Sequence, residues 1–171
     1  MTIETRYARV AVEGRQLYGI AAPFNAQTRI GDFSEVIAPG AFTRTLAENR
    51  DILALADHNS SRVLGRTRTG TLTLKETANG LEYTLELPET TDGNDLRALA
   101  QRGDLGGVSF GFRALRDSWI GDVRTLHEVA LEEISVVAAH PAYNATTVNL
   151  RHALQPESQL ALMRYWLDTV R

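Results

Sequence analysis

One serine in this chain stands in a setting that could make it a nucleophile. In Gly106-Gly107-Val108-Ser109-Phe110-Gly111-Phe112 it lies among three glycines, with apolar residues alternating beside it. In an extended strand Phe110 and Phe112 fall on one face, and Ser109 and Gly111 fall on the other. The phenylalanines would then anchor the strand in a core while the hydroxyl faces a partner. The glycines would leave space for a peptide backbone to approach Ser109. The plain structural reading of the same letters is a buried strand whose glycines permit close packing or a bulge.

A neutral serine hydroxyl is a weak nucleophile. Acyl transfer needs a base to take its proton, and gains from a carboxylate that orients and stabilises the resulting imidazolium. His58 is the best-placed histidine, because it follows the apolar run Ile52-Leu53-Ala54-Leu55-Ala56 at the polar corner Asp57-His58-Asn59. Polar residues at a strand end can meet groups from other strands without deep burial. The carboxylate candidates stand in the run 124–137, expected to be the longest strand. There Glu133 and Ser135 share one parity, while Glu132 and Ile134 share the other. Only one of the two adjacent carboxylates can therefore join the serine's site. Ser109, His58 and Glu133 are the residue types that a serine hydrolase uses, and such groups meet in space whatever their separation in sequence.

These residues belong to a chain of 171 residues, which suits one domain that buries roughly two-thirds of its unfolded surface. With no cysteine, a disulfide framework, cysteine catalysis and thiolate metal sites are excluded. Lys+Arg 18 against Asp+Glu 21 leaves a net charge of -3, scattered along the chain, so no nucleic-acid footprint is present. No stretch has the apolar core of a signal peptide or the length to span a bilayer. We expect a soluble, cytoplasmic protein with neither nucleic acid nor membrane as a partner.

The elements that must position the site follow from periodicity. Residues 7–20 read as a hairpin turning at Gly14, and a short apolar run at Phe33, Val36 and Ile37 precedes Pro39-Gly40. Phe42 and Leu46 share a helical face, and residues 51–56 form a mostly buried strand. Leu72 and Leu74 alternate with threonines, and Leu81, Tyr83, Leu85 and Leu87 return with period two after the hairpin signal Asn79-Gly80. Leu96, Leu99 and Ala100 recur at helical spacing and Gly103 stops that helix just before the serine stretch. A turn is expected over residues 117–122. A last strand or coil is expected over 145–150, and an apolar face at helical spacing at Leu160, Met163, Trp166, Leu167 and Val170. So many short strands need their edges covered, which predicts a β-rich α+β domain, a barrel with peripheral helices.

Gly107-Val108-Ser109-Phe110-Gly111 satisfies Gly-x-Ser-x-Gly, yet it runs on into Phe112 rather than opening a helix, and His58 precedes the serine. Both features argue against an α/β-hydrolase. Instead, most of residues 7–150 resembles the phage prohead (capsid maturation) proteases of the HK97 type, distantly related in fold to herpesvirus assemblin. The resemblance is carried in order by Tyr18-Gly19-Ile20-Ala21-Ala22-Pro23-Phe24-Asn25 and Glu35-Val36-Ile37-Ala38-Pro39-Gly40-Ala41-Phe42. Asp57-His58-Asn59, Leu64-Gly65-Arg66-Thr67 and Asn79-Gly80-Leu81 come next. The serine stretch and Leu131-Glu132-Glu133-Ile134-Ser135-Val136-Val137, with Pro141-Ala142 behind it, complete the set.

The resemblance implies an assemblin-like antiparallel β-barrel and a serine endopeptidase that works without metal or cofactor. Its substrates would be scaffold and the scaffolding arm of the major capsid protein, cleaved inside the assembling prohead in the host cytoplasm, and it would process itself. Ser109 matches the family's nucleophile, His58 its histidine and Glu133 the acidic residue before the Ile/Val-Ser pair. Glu132, and His140 in the place of the second histidine of the herpesvirus relatives, are the alternatives for the third member. His127 and His152 read as strand and near-terminal residues, and Arg66 as a surface arginine or a contributor to the oxyanion site. The protease domain would cover residues 1–155. Residues 156–171 would form a helix that packs on the domain or mediates self-association as a homodimer. The competing reading is a non-catalytic capsid-assembly or scaffolding module with the same fold.

Overall fold

The computed structural model describes residues 11–138. Their strands form two sheets. The first is antiparallel, with spatial order β1-β2-β8-β7, built from β1 (Ala11–Glu13), β2 (Gln16–Pro23), β7 (Leu72–Glu76) and β8 (Gly80–Glu86). The second comprises β3 (Thr28–Ile30), β4 (Phe33–Ile37), β5 (Leu53–Ala56), β6 (Asn59–Arg66), β9 (Gly107–Ile120) and β10 (Val123–Val137). Two helices complete the described chain, α1 (Thr43–Ala47) and α2 (Thr91–Arg102). Gly103 ends α2 in the left-handed region with φ 77°, as the sequence predicts, while its N-cap is Thr90, which accepts from the Gly93 N–H.

Strand β10 is the spine of the second sheet. Along one edge it pairs with β9 over nearly its whole length. Its other edge is shared by two short parallel strands placed end to end, β4 at residues 123–126 and β5 at residues 133–136. The gap between them is filled from the α1 segment. Val129 N–H donates to the Ala41 carbonyl at 3.0 Å. The buried Thr45 hydroxyl donates to the Val129 carbonyl at 2.7 Å and accepts from the Leu131 N–H at 3.2 Å. One side chain thus replaces a ladder partner for two buried backbone groups, which would otherwise be costly to leave unpaired. Thr45→Val keeps the shape and removes the hydroxyl. It should lower stability by about 1–3 kcal/mol, and urea unfolding with an unchanged midpoint would show that this bridge is dispensable.

The two sheets share one core. From the first come Leu17, Ala22, Leu72, Leu81, Tyr83 and Leu85; from the second, Ala54, Ala56, Phe110, Phe112, Ile134 and Val136. Phe42, fully buried at the start of α1, stacks on Phe24 with centroids 6.2 Å apart and meets Phe110 edge-on at 5.9 Å; Phe110 in turn stacks on Phe112 at 5.2 Å. This aromatic row fixes the strand that carries Ser109, and the two phenylalanines are on the core side as expected.

Several expectations change. The strands do not close into one ring among the described residues, and the second sheet is mixed, because β10 runs parallel to β4 and β5. The antiparallel barrel is therefore corrected to two sheets packed across a common core. The turn expected over residues 117–122 shrinks to Gly121 and Asp122, since β9 continues to Ile120. Its polar residues are held by cross-strand partners: Asp117 by Arg124 at 2.7 Å and Ser118 by His127 at 2.7 Å. Asn79-Gly80 marks a reversal, but the strands pair at Glu76 and Leu81, leaving a four-residue loop. Gly80 is needed for a different reason, because a Cβ there would lie 2.2 Å from the Ala22 carbonyl oxygen of β2. Residues 7–10, 145–150 and the expected C-terminal helix at 156–171 lie outside the described residues.

Candidate active site

His58 is placed by a turn that its sequence does not advertise. Ala56 pairs with Asn59, so Asp57 and His58 are the two central residues of a tight hairpin, with φ 51° and 58°. Two positive φ values are what a type I′ turn requires; Asp57 is common at the first position, and His58 stands where glycine is usual. For these residues the left-handed conformation costs on the order of 1 kcal/mol each. The surroundings hold it. Asp57 N–H donates to the Val136 carbonyl and His58 N–H to Ser135 Oγ, at 3.0 and 3.2 Å. The Asp57 carboxylate accepts from the Ala138 N–H at 3.0 Å and from Arg62 at 3.0 Å. Arg62 reaches on to Asp92 in the first turn of α2 at 2.8 Å. Hydrogen bonding to Asp92, and then to Asp57, raises the Arg62 pKa above its ordinary value.

The turn delivers the His58 ring to Glu133 on β10. Nδ1 lies 2.8 Å from Glu133 Oε1, with both side chains about 15% exposed (15% and 16%). The neutral ring then carries its proton on Nδ1 and leaves Nε2 as the acceptor. Glu133 faces Gly111 across the β9–β10 ladder, and Ser135 faces Ser109. Directly opposed residues project to the same face. One face of the sheet therefore collects Ser109, Gly111, Glu133 and Ser135, while Phe110, Phe112, Ile134 and Val136 point into the core on the other. Among the described residues no hydrogen bond joins Ser109 to the imidazole. What relates them is Ser135, opposite Ser109 in the ladder and bonded to both His58 and Glu133.

The other sequence candidates go elsewhere. Glu132 is set apart by a register shift between Leu131 and Glu133, and it pairs with Arg113 at 2.8 Å and Arg50 at 3.8 Å. Arg66 is 3.6 Å from Asp51, and His127 bonds Ser118. His140 and His152 lie outside the described residues. Two residues of the site escaped sequence reasoning. Gly111 was expected to admit a substrate backbone, yet a Cβ there would lie 2.6 Å from Glu133 Oε1 and 3.3 Å from its Cγ and Cδ. The glycine makes room for the carboxylate. Ser135, fully buried, donates its hydroxyl hydrogen to Glu133 Oε2. Its shared parity with Glu133 was the one signal available.

The family model of the caudovirus prohead serine proteases matches residues 2–159. The chain belongs to that family. No curated protein and no solved structure matches it. No described helix is long and apolar enough to cross a membrane.

Proposed function

We propose that this chain is a serine endopeptidase of prohead maturation in which Ser109 is the nucleophile, His58 the general base and then acid, and Glu133 the orienting carboxylate. The observation that carries this reading is the 2.8 Å bond between His58 Nδ1 and Glu133 Oε1, on the sheet face to which Ser109 also points, in a chain of this family. Ser109 Oγ attacks the scissile carbonyl carbon while His58 Nε2 takes its proton. The tetrahedral intermediate collapses as the imidazolium returns that proton to the departing amine. Water, deprotonated by the same nitrogen, then hydrolyses the acyl-enzyme. Glu133 accepts from Nδ1–H throughout and stabilises the imidazolium.

The family's description supports a capsid-maturation role, and we take the substrates to be scaffold, the scaffolding arm of the major capsid protein, or both, with self-cleavage. The same reading takes an assemblin-like arrangement as the fold of the whole domain, its action inside the prohead in the host cell, and residues 156–171 as a segment that packs on the domain or mediates self-association. A phosphonofluoridate probe tests the chemistry. It should abolish cleavage of the cognate capsid protein at one equivalent, with the adduct mapped by mass spectrometry to Ser109. Full cleavage by probe-saturated protein, or an adduct at any other serine accompanying inactivation, would reject the assignment.

A further inference from the structure

We infer that Ser135 is a positioning residue that locks the orientation of the His58–Glu133 pair, an inference that rests on reading that pair as base and orienting acid. His58 is tied to one carboxylate twice. Its ring Nδ1 meets Glu133 Oε1 at 2.8 Å, and its backbone N–H donates at 3.2 Å to Ser135 Oγ, whose own hydrogen goes to Glu133 Oε2. The result is a closed circuit that runs from the His58 backbone through Ser135 and Glu133 to the His58 ring.

A hydroxyl with 0% exposure inside a strand is unfavourable unless its donor and acceptor capacity are both used. Here both are used, and both partners belong to the candidate site. The donor fixes the rotation of the Glu133 carboxylate, so that Oε1 rather than Oε2 is presented to the imidazole. The acceptor holds the amide of a residue whose φ of 58° needs external support. Ser135 is not a second nucleophile, because its hydrogen is committed to Glu133. It acts through the pair, as outer partners of a site generally act through the groups they orient.

The test uses the rate of Ser109 modification by the phosphonofluoridate together with kcat and KM for a capsid-derived peptide. Ser135→Ala should slow modification and lower kcat by about 10- to 100-fold, with KM changed less than about twofold. Ser135→Thr, which keeps the hydroxyl, should remain within about fivefold of the parent protein. In a Glu133→Gln background the alanine substitution should change the rate by less than about threefold, because the group it orients is already disabled. Thermal melting checks that each variant is folded. If Ser135→Ala fails to fold, Ser135→Cys, close in size and a weak donor, takes its place in the cycle. Unaltered kinetics in Ser135→Ala, or the same loss in both backgrounds, would overturn the inference. Failure of the probe to modify Ser109 in the parent protein would instead bring down the serine-protease reading beneath it.

Discussion

His58→Ala should lower kcat for capsid-protein cleavage by about 10⁴- to 10⁶-fold, Ser109→Ala should do the same, and the double variant should be no worse than either. Groups that act as one unit lose their joint effect when any of them is removed, so non-additivity is the diagnostic part of this prediction. KM should change little, because neither side chain is asked to bind the remote parts of the substrate. Single-turnover cleavage followed by mass spectrometry gives the range needed. A kcat for His58→Ala within tenfold of the parent would sink the assignment of the base. The turn geometry supplies a control that separates folding from chemistry. His58 occupies a left-handed position at φ 58°. Glycine accepts that conformation without strain, which offsets the loss of the bond to Glu133. His58→Gly should therefore stay within about 1 kcal/mol of the parent in stability while being as inactive as His58→Ala.

How far the sequence could be read depended on whether a signal was local. The alternation of Leu72 and Leu74 against Leu81, Tyr83 and Leu85, and the Gly103 stop of α2, are local and appear as predicted. The placing of Phe110 and Phe112 against Ser109 needed only the period of a strand. Parity along β10 was a weaker guide, because register shifts near Leu126, Glu128 and Leu131 interrupt it. It still separated Glu132 from Glu133, and Glu132 is engaged by Arg113 while Glu133 faces the imidazole. Parallel pairing of β10 with two short strands could not be read, since it depends on Thr45 and Ala41 bridging the gap between them. The Asp57-His58 turn was hidden for the opposite reason. Aspartate and histidine take positive φ less readily than glycine, and hydrogen bonds to the distant Ser135, Val136 and Ala138, with the nearby Arg62, hold them there.

Gly111→Ala should be the most damaging single-methyl change in the site. Gly111 has no left-handed φ, so its backbone conformation would accept any residue. The obstacle is the Glu133 carboxylate, whose Oε1 would lie 2.6 Å from the new Cβ. The end of a glutamate side chain can usually swing aside at little cost. This one is pinned at Oε1 by His58 and at Oε2 by Ser135, so it moves only by breaking the circuit that holds the His58 ring. A misplacement approaching 1 Å in a catalytic group costs on the order of 10²-fold. Gly111→Ala should therefore lower kcat by about 10²- to 10³-fold and destabilise the protein by about 1–3 kcal/mol through overpacking. A second substitution tells this cause from general damage to the strand. In Glu133→Ala the obstructing carboxylate is gone, and adding Gly111→Ala should cost less than about 0.5 kcal/mol, or stabilise slightly by removing a glycine from a strand. An equal stability loss with and without Glu133, measured by urea unfolding, would show that Gly111 serves the strand and not the carboxylate.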